Sequence, residues 1–217
     1  DLMNALLGDA ENSSAQLVLN SPVIGGMITD RGIQLDVGGK DPISVHCKVC
    51  VNAAGHNATE VSKSIIGLNA ELIPNVVFAK GNYFALTSKK PFKRLIYPVP
   101  DENGLSIHVS PDMSGSIRFG PDTDFTSRID YTVDPNRVGP FYEGIRKFWP
   151  ALKDGDLEPG YAGIRPKLSE ARATSLDFLI QGPQIHGIPG LICLYGLESP
   201  GLTSSMAIGE YICEMLV

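Results

Sequence analysis

The sequence GLESPGLTSS at residues 196–205 follows a continuous apolar run, Leu191–Tyr195, and precedes a helix-like stretch. A continuous apolar run of this length is typical of a strand buried on both faces of a parallel sheet. Ser199 is a suitable helix N-cap, and Pro200 suits the first helical position because it has no N–H group to leave unpaired. Gly201 lets the backbone approach a ligand closely. We therefore expect a strand-to-helix turn whose first N–H groups can stabilise an anion or an electron-rich carbonyl, although the local spacing alone slightly favours a well-capped helix without a ligand.

Composition excludes several classes of protein. The 217 residues are 43% hydrophobic and 19% charged, which is enough to bury a core in one or two domains. The 18 basic residues are scattered and are outnumbered by 24 acidic ones, so we expect no nucleic-acid partner. No run of about 18 apolar residues is present, so we expect no membrane span.

The spacing of hydrophobic residues predicts both strands and helices along the chain. Residues 155–167 are rich in glycine and proline and are interpreted as a connection. The strand and helix patterns predict a small meander (23–29, 32–36, 44–51), a helix (58–66), several strands (between 73 and 125), a helix (135–149), and a final strand and helix (191–195, 202–216).

The four cysteines do not form a metal-binding pattern. Cys47 and Cys50 lie in the strand-like run 45–51, where an offset of three places side chains on opposite faces. A second CxxC or a histidine pair, which zinc would require, is missing from the sequence. Cys193 and Cys213 lie in apolar runs and are interpreted as buried thiols. We expect no metal site.

Three further features have chemistry that could serve a site. The segment Val51–Gly55, VNAAG, has small residues after a strand and permits close approach of a cofactor or of a helix. Arg165 in GIRP suits bidentate binding of a substrate carboxylate, and a structural salt bridge explains it equally well. His108 is the histidine flanked by strand pattern, where a structural role is the default interpretation.

These segments occur together in one order and spacing, and the combination resembles a known family. They are GLESPGLTSS (196–205), VNAAG (51–55), AKGNYF (79–84), YPVP (97–100), RFGPD (118–122) and YAGIRPK (161–167). The arrangement resembles the FAD-dependent oxidoreductases of the D-amino-acid-oxidase superfamily, and it looks closest to the branch that contains L-2-hydroxyglutarate dehydrogenase. The resemblance implies an α/β (α+β) fold, namely the C-terminal part of a Rossmann-like FAD-binding domain with an inserted antiparallel-sheet substrate domain. The implied domains are residues 1–72 and 172–217 for FAD binding and 73–171 for substrate binding.

The resemblance implies FAD as cofactor and assigns three groups of residues to it. One group closes around the adenine and ribose: Val51, Asn52, Ala53, Ala54 and Gly55. Gly163 and Ile164 would lie near the flavin. The third group forms the flavin end of the site: Gly196, Glu198, Ser199, Pro200, Gly201, Leu202 and Thr203. Within it, the N–H groups of residues 201–203 would face the pyrimidine edge of the flavin, which gains negative charge on reduction.

The resemblance also implies a small-molecule carboxylate substrate. Lys80, Tyr83, Tyr97 and His108 lie on strands that roof the substrate in this family, and Arg165 would lie in or beside the pocket. The implied reaction is hydride transfer from C2 of an L-2-hydroxy acid, such as 2-hydroxyglutarate, to flavin N5. His108 would accept the hydroxyl proton, because histidine titrates near neutral pH.

Two other functions remain open from the sequence. The same fold could oxidise an amino acid or a secondary amine, or the chain could be a cofactor-free binding fragment. The electron acceptor is not specified by any motif.

One expected motif is absent from these residues. The GxGxxG turn that binds the FAD pyrophosphate does not occur, and neither Gly25-Gly26 nor Gly38-Gly39 has the required spacing. The resemblance therefore implies an N-terminal FAD-binding segment outside this chain, and we expect these residues alone to bind FAD weakly and to be inactive. By the same resemblance, the expected location is mitochondrial in a eukaryote and cytoplasmic otherwise.

Overall fold

The computed structural model describes residues 1–88, 91–99, 106–168 and 177–216. The helices are α1 (Leu2–Asn12), α2 (Ala58–Lys63), α3 (Val138–Arg146), α4 (Pro183–His186) and α5 (Gly201–Met215). The strands are β1 (Val23–Thr29), β2 (Gly32–Val37), β3 (Ile43–Cys47), β4 (Cys50–Asn52), β5 (Ile65–Ile66), β6 (Val77–Leu86), β7 (His108–Pro111), β8 (Ile117–Gly120), β9 (Asp124–Thr126), β10 (Leu157–Lys167), β11 (Leu179–Gln181) and β12 (Leu191–Tyr195). This mixed architecture confirms the predicted fold class.

Backbone contacts divide the chain into two units, each built from separate stretches. The first contains Asp1–Ile73, Gln181–Cys193 and the chain from Ile212 onward, and the second contains Pro74–Ile180 and Leu194–Tyr211. The first division lies one residue from the boundary predicted at 72/73, whereas the boundary predicted at 171/172 falls outside the described residues. The domain assignment itself stays a prediction.

The first unit combines the predicted meander with part of a second, three-stranded sheet. Strands β3, β2 and β1 pair antiparallel in chain order, and β5 adds parallel to β1. In a separate sheet of order β11-β12-β4, β12 runs parallel to β4 and is buried along its whole length, as its apolar sequence predicts. Strand β4 lies at the end of this order, with Val51 40% exposed.

The second unit is an antiparallel sheet of order β10-β6-β8-β7, with β9 also paired to β6. One face of this sheet forms the core. Phe84, Val109, Ile117 and Phe119 are fully buried there, and the Phe84 ring packs 4.7 Å from that of Phe141 on α3. Burial of this apolar surface is the main stabilising term for such a sheet, about 25 cal/mol per Å². The opposite face carries polar and aromatic side chains and is described below.

Three sequence interpretations differ from the structure. Residues 155–167 were expected to form a connection, but 157–167 form strand β10. The strand pattern at 44–51 is two strands in different sheets, β3 and β4, with a break at Lys48-Val49. The helix predicted over 58–66 is also shorter, because Ile65 and Ile66 leave it to pair with β1.

None of the described helices is both long and apolar enough to cross a bilayer. The described residues also contain no group of three or more histidine, cysteine, aspartate or glutamate side chains arranged to hold a metal ion.

Candidate active site on one face of the antiparallel sheet

Strand register places several predicted site residues on one face of the second unit's sheet. Residues directly opposite one another on paired strands point to the same face, and alternate residues along a strand do as well. Arg165 lies opposite Ala79 and Gly163 opposite Gly81, so both point to the same side of the sheet as Tyr83. Tyr161 reaches this side too, because its ring stacks on that of Tyr83.

The same reasoning adds residues from the far side of β6. Arg118 lies opposite Ala85, two residues from Tyr83, and also opposite Ser110 on β7. His108, two residues from Ser110, therefore shares this face. The Tyr97 ring lies 4.1 Å from the His108 ring. We call this surface the site face, defined by Tyr83, Tyr97, His108, Arg118, Tyr161 and Arg165.

Lys80 is the predicted substrate residue that the structure does not bring to the site face. It lies opposite Ile164 and Asp124, on the side of β6 that carries Asn82 and Phe84. Its ammonium group donates a hydrogen bond of 2.5 Å to the carbonyl oxygen of Thr132.

Two stacked tyrosines occupy the middle of the site face. The rings of Tyr83 and Tyr161 are 4.5 Å apart and nearly parallel, at 5°. Burial, together with the neighbouring Tyr161, raises the pKa of Tyr83 to about 12. The Tyr83 hydroxyl is therefore protonated at neutral pH and can donate a hydrogen bond to a substrate oxygen.

His108 lies where protonation is disfavoured. Burial, and secondarily the positive charge of Arg165, lower the pKa of its imidazole. Its Nε2 atom lies 2.9 Å from Ser106 Oγ. A neutral imidazole beside a fixed guanidinium can accept a proton from a hydroxyl group at neutral pH.

Glu198 joins the strand that carries Arg165 to the turn before α5. Its carboxylate, only 11% exposed, accepts a hydrogen bond of 2.6 Å from Lys167 and one of 3.3 Å from Arg165. Arg165 thus forms the structural salt bridge that was one of its two interpretations, while its side chain stays 48% exposed and carboxylate binding stays a prediction. Glu198 was predicted to bind the cofactor, and the structure places its carboxylate on these two cations.

The start of α5 differs slightly from the prediction. The carbonyl oxygen of Pro200 accepts the first helical hydrogen bond, from Ser204 N–H, so Pro200 and not Ser199 occupies the N-cap position. The Gly201 N–H donates to Glu198 within the turn. Gly196 has φ +68°, and a Cβ there would lie 2.7 Å from Leu168.

An electron-rich group fits this helix start. No hydrogen-bond acceptor for the N–H groups of Leu202 and Thr203 is found within the described part of the chain. These two donors remain available at the positive end of a 15-residue helix. Gly163 on β10 has no atom within 4 Å of where a Cβ would stand, so a flat ring can approach its backbone. Ile164, the next residue, points into the core side and is buried.

The predicted adenine segment lies in the first unit. Val51, Ala53, Ala54 and Gly55 are exposed there, and Gly55 has φ +58°. Asn52 is buried instead, and its amide donates to the Ala58 carbonyl oxygen at 2.8 Å and to Ser62 Oγ at 2.9 Å. Its side chain therefore holds the turn between β4 and α2 and leaves the neighbouring residues at the surface.

Two cysteine interpretations are also wrong. Because the strand breaks after Cys47, the Cys47 and Cys50 thiols do not point to opposite faces but interact with each other. Burial, with smaller contributions from Cys47 and Cys193, raises the pKa of Cys50 to about 12, so this thiol is a poor nucleophile. Cys213 is exposed, although its apolar surroundings in sequence suggested burial.

Sequence reasoning missed Arg118 and Tyr161 as members of the site face. Both lie in segments that the resemblance used, RFGPD and YAGIRPK. For Tyr161 the missed signal is strand alternation. Residues 155–167 were interpreted as a connection, but as a strand they would place Tyr161, Gly163 and Arg165 on one side of the sheet.

A family model described as "DAO: FAD dependent oxidoreductase" matches residues 1–215. The chain is 42% identical to the mitochondrial L-2-hydroxyglutarate dehydrogenase of Arabidopsis thaliana, over 96% of the chain and 48% of that protein. It is 26% identical to a glycerol 3-phosphate dehydrogenase of Caloramator mitchellensis, over 98% of the chain and 42% of that protein. The chain thus spans about half the length of the curated relatives it matches.

Among solved structures, the fold is similar to that of an FAD-bound L-α-glycerophosphate oxidase from Mycoplasma pneumoniae. The TM-score is 0.74 at 22% identity, over 95% of this chain and 53% of that one. L-proline dehydrogenase from P. horikoshii gives a TM-score of 0.72 at 18% identity, over 99% of this chain and 54% of that one.

Proposed function

The chain belongs to the DAO family of FAD-dependent oxidoreductases, and on this premise we propose that the enzyme of which it forms part oxidises a small L-2-hydroxy acid to the 2-oxo acid. The observation that carries the proposal is the site face, where a half-exposed arginine, a neutral histidine and a protonated tyrosine lie on one side of one sheet. The 42% identity to a plant L-2-hydroxyglutarate dehydrogenase supports 2-hydroxyglutarate as the substrate.

Each of these residues has a chemical role in the proposed reaction. Arg165 binds the substrate carboxylate through its exposed guanidinium edge, while Glu198 holds the other part of the group. His108 accepts the hydroxyl proton, and Tyr83 donates a hydrogen bond to the same oxygen as it becomes a carbonyl. Tyr97 packs on the His108 ring and fixes its orientation.

FAD, when bound, supplies the acceptor for the hydride that leaves C2. The N–H groups of Leu202 and Thr203 would hold its electron-rich edge, and Gly163 would allow the ring to lie against β10. The exposed residues Val51, Ala53, Ala54 and Gly55 would contact the adenine side. His108 would take the hydroxyl proton that the substrate loses together with the hydride.

The names of the relatives suggest competing substrates and support one compartment. Glycerol 3-phosphate is oxidised by one relative according to its name, and proline by one structural neighbour according to its title. The plant relative is mitochondrial by name, which supports a mitochondrial location if the source is a eukaryote.

Anaerobic reduction of the flavin tests the substrate. The full-length protein carrying this chain, loaded with FAD, is mixed in turn with L-2-hydroxyglutarate, D-2-hydroxyglutarate, L-proline, sarcosine and glycerol 3-phosphate. We expect rapid bleaching of the flavin absorbance with the L-2-hydroxy acid alone. Bleaching by an amine or by glycerol 3-phosphate, with none by L-2-hydroxyglutarate, would replace this proposal with the corresponding oxidase.

A further inference from the structure

Arg118 is a second arginine on the site face, and the reaction proposed above does not use it. It lies on β8 opposite Ala85, whereas Arg165 lies on β10 opposite Ala79. The two arginines therefore flank β6 from opposite sides, offset by six residues, or about 20 Å of strand. Tyr83 lies between these two positions on the same side of β6.

The Arg118 side chain reaches from β8 toward the stacked tyrosines. The Arg118 guanidinium extends across β6 and lies 5.1 Å from the centre of the Tyr161 ring, which itself stacks on Tyr83. The charge of Arg165 acts on both Tyr83 and His108. The Arg118 guanidinium thus lies over the tyrosine stack, and Tyr83 is also within the electrostatic reach of Arg165.

Arg118 is held in place before any ligand binds. Its Nη2 atom donates to Asp112 Oδ2 at 3.2 Å, and Asp112 Oδ1 accepts the Ser114 and Ser116 backbone N–H groups at 2.9 Å each. The Arg118 side chain is nevertheless 41% exposed. A guanidinium has five N–H donors, so Arg118, which forms one ion pair among the described residues, keeps donors for a second anion.

Arg146, in the same unit, serves as a comparison for Arg118, because it makes similar contacts away from the site face. Arg146 lies 4.8 Å from the Tyr142 ring and pairs with Asp154 at 2.6 Å. It belongs to α3, which packs on the buried face of the sheet and not on the site face. The two arginines have the same kinds of contact, and they differ in which side of the sheet they occupy.

We propose that Arg118 binds a second carboxylate at the far end of the substrate, so that the site selects dicarboxylic 2-hydroxy acids over monocarboxylic ones. The inference rests on the proposed function and deepens it. Arg165 binds the carboxylate next to the reacting carbon, and Arg118 binds the distal one across the tyrosine stack. A substrate that ends in a methyl group leaves the Arg118 donors to water and gains nothing from them.

The test is a ratio of two substrates measured on one preparation. The full-length FAD-loaded protein is assayed with L-2-hydroxyglutarate and with L-2-hydroxybutyrate, and kcat/KM is compared for the wild type, Arg118→Gln, Arg118→Lys and the control Arg146→Gln. A loss of folded or FAD-loaded protein changes both substrates equally, so the ratio is insensitive to it. Inhibition by glutarate and by butyrate gives a second readout that does not depend on turnover of the 2-hydroxy acid.

We expect Arg118→Gln to lower the ratio of kcat/KM for the dicarboxylate to kcat/KM for the monocarboxylate about 10- to 100-fold. Loss of one charge-assisted hydrogen bond has an effect of this size. Arg118→Lys should retain part of the preference, and Arg146→Gln should leave the ratio unchanged. Glutarate inhibition should weaken in Arg118→Gln while butyrate inhibition does not.

An unchanged ratio in Arg118→Gln, with both substrates still oxidised, would overturn this inference and leave the proposed function intact. Failure of the wild type to oxidise either 2-hydroxy acid would overturn both.

Discussion

His108 is the residue whose surroundings most directly control the proposed chemistry. Burial and Arg165 both lower its pKa, so protonation occurs only below the ordinary value of about 6.5. Because the proposed base must be neutral, kcat/KM should be constant near pH 7 and fall about tenfold per pH unit below the lowered pKa. A kcat/KM profile of the full-length enzyme from pH 4.5 to 8 measures this acid limb.

Arg165 provides the control for this prediction. Its charge opposes protonation of His108, so Arg165→Ala should raise the pKa and move the acid limb to higher pH, whereas Arg165→Lys should leave the limb near its original position. An acid limb that stays in place in both variants, or that persists in His108→Gln, would assign the titration to another group.

At the residue scale, the sequence identified Arg165, Tyr83, Tyr97 and His108 through motifs, and the structure places all four on one face. Motif position alone could not assign Lys80, because one step along a strand reverses the side to which a residue points. Lys80 lies three positions from Tyr83 and therefore faces the other way.

At the scale of elements, β10 shows why composition misled the prediction. Pro159, Gly160 and Pro166 are typical of a connection, yet they lie within an 11-residue strand. A proline is tolerated there because β10 is at the edge of the sheet order, where one side of the strand needs no ladder hydrogen bonds. The pairing also shifts between Pro159 and Ala162, which accommodates the irregular residues. By contrast, β1 and β12 were predicted with their observed bounds, because periodicity and continuous apolarity are local signals.

Gly163 on β10 gives a prediction about the cofactor. A Cβ at this position meets no atom within 4 Å in the protein, so Gly163→Ala should fold with unchanged or slightly higher stability. If the flavin lies against this backbone, the added methyl group should weaken FAD binding about 10- to 100-fold. The full-length apoprotein is titrated with FAD and binding is followed by flavin fluorescence. Thermal unfolding of the same sample then separates a change in FAD affinity from a change in stability.

Two glycines serve as controls for Gly163. Gly139 on α3 is equally open, so Gly139→Ala should change neither the Tm nor the FAD affinity by a comparable amount. Gly120 has φ +145°, and a Cβ there would lie 2.6 Å from the Asn82 carbonyl oxygen, so Gly120→Ala should lower the Tm. Unaltered FAD affinity in Gly163→Ala would remove β10 from the flavin site.

At the scale of the whole molecule, the residues proposed to hold the flavin are present in this sequence, whereas the GxGxxG motif for the pyrophosphate is not. Strand β4 ends the order of its sheet with Val51 exposed, and the residues that follow it are exposed as well. We therefore expect the 217 residues, purified by themselves, to retain far less than one FAD per chain, because phosphate contacts at a GxGxxG turn are lacking. The absorbance at 450 nm relative to 280 nm measures this, and a stoichiometric yellow protein would contradict it.

The discontinuity of the two units limits how the chain can be divided. A fragment of residues 74–180 would contain every member of the site face but would lack 194–211, and with it the Glu198 carboxylate. Arg165 and Lys167 would then lie close together without the negative charge of Glu198, which offsets the repulsion between them. The cut after residue 180 would also divide β11, and it would remove β12 and α5, which each have residues in both units. Insertions and gene fusions should therefore be tolerated at surface turns but not at the unit boundaries.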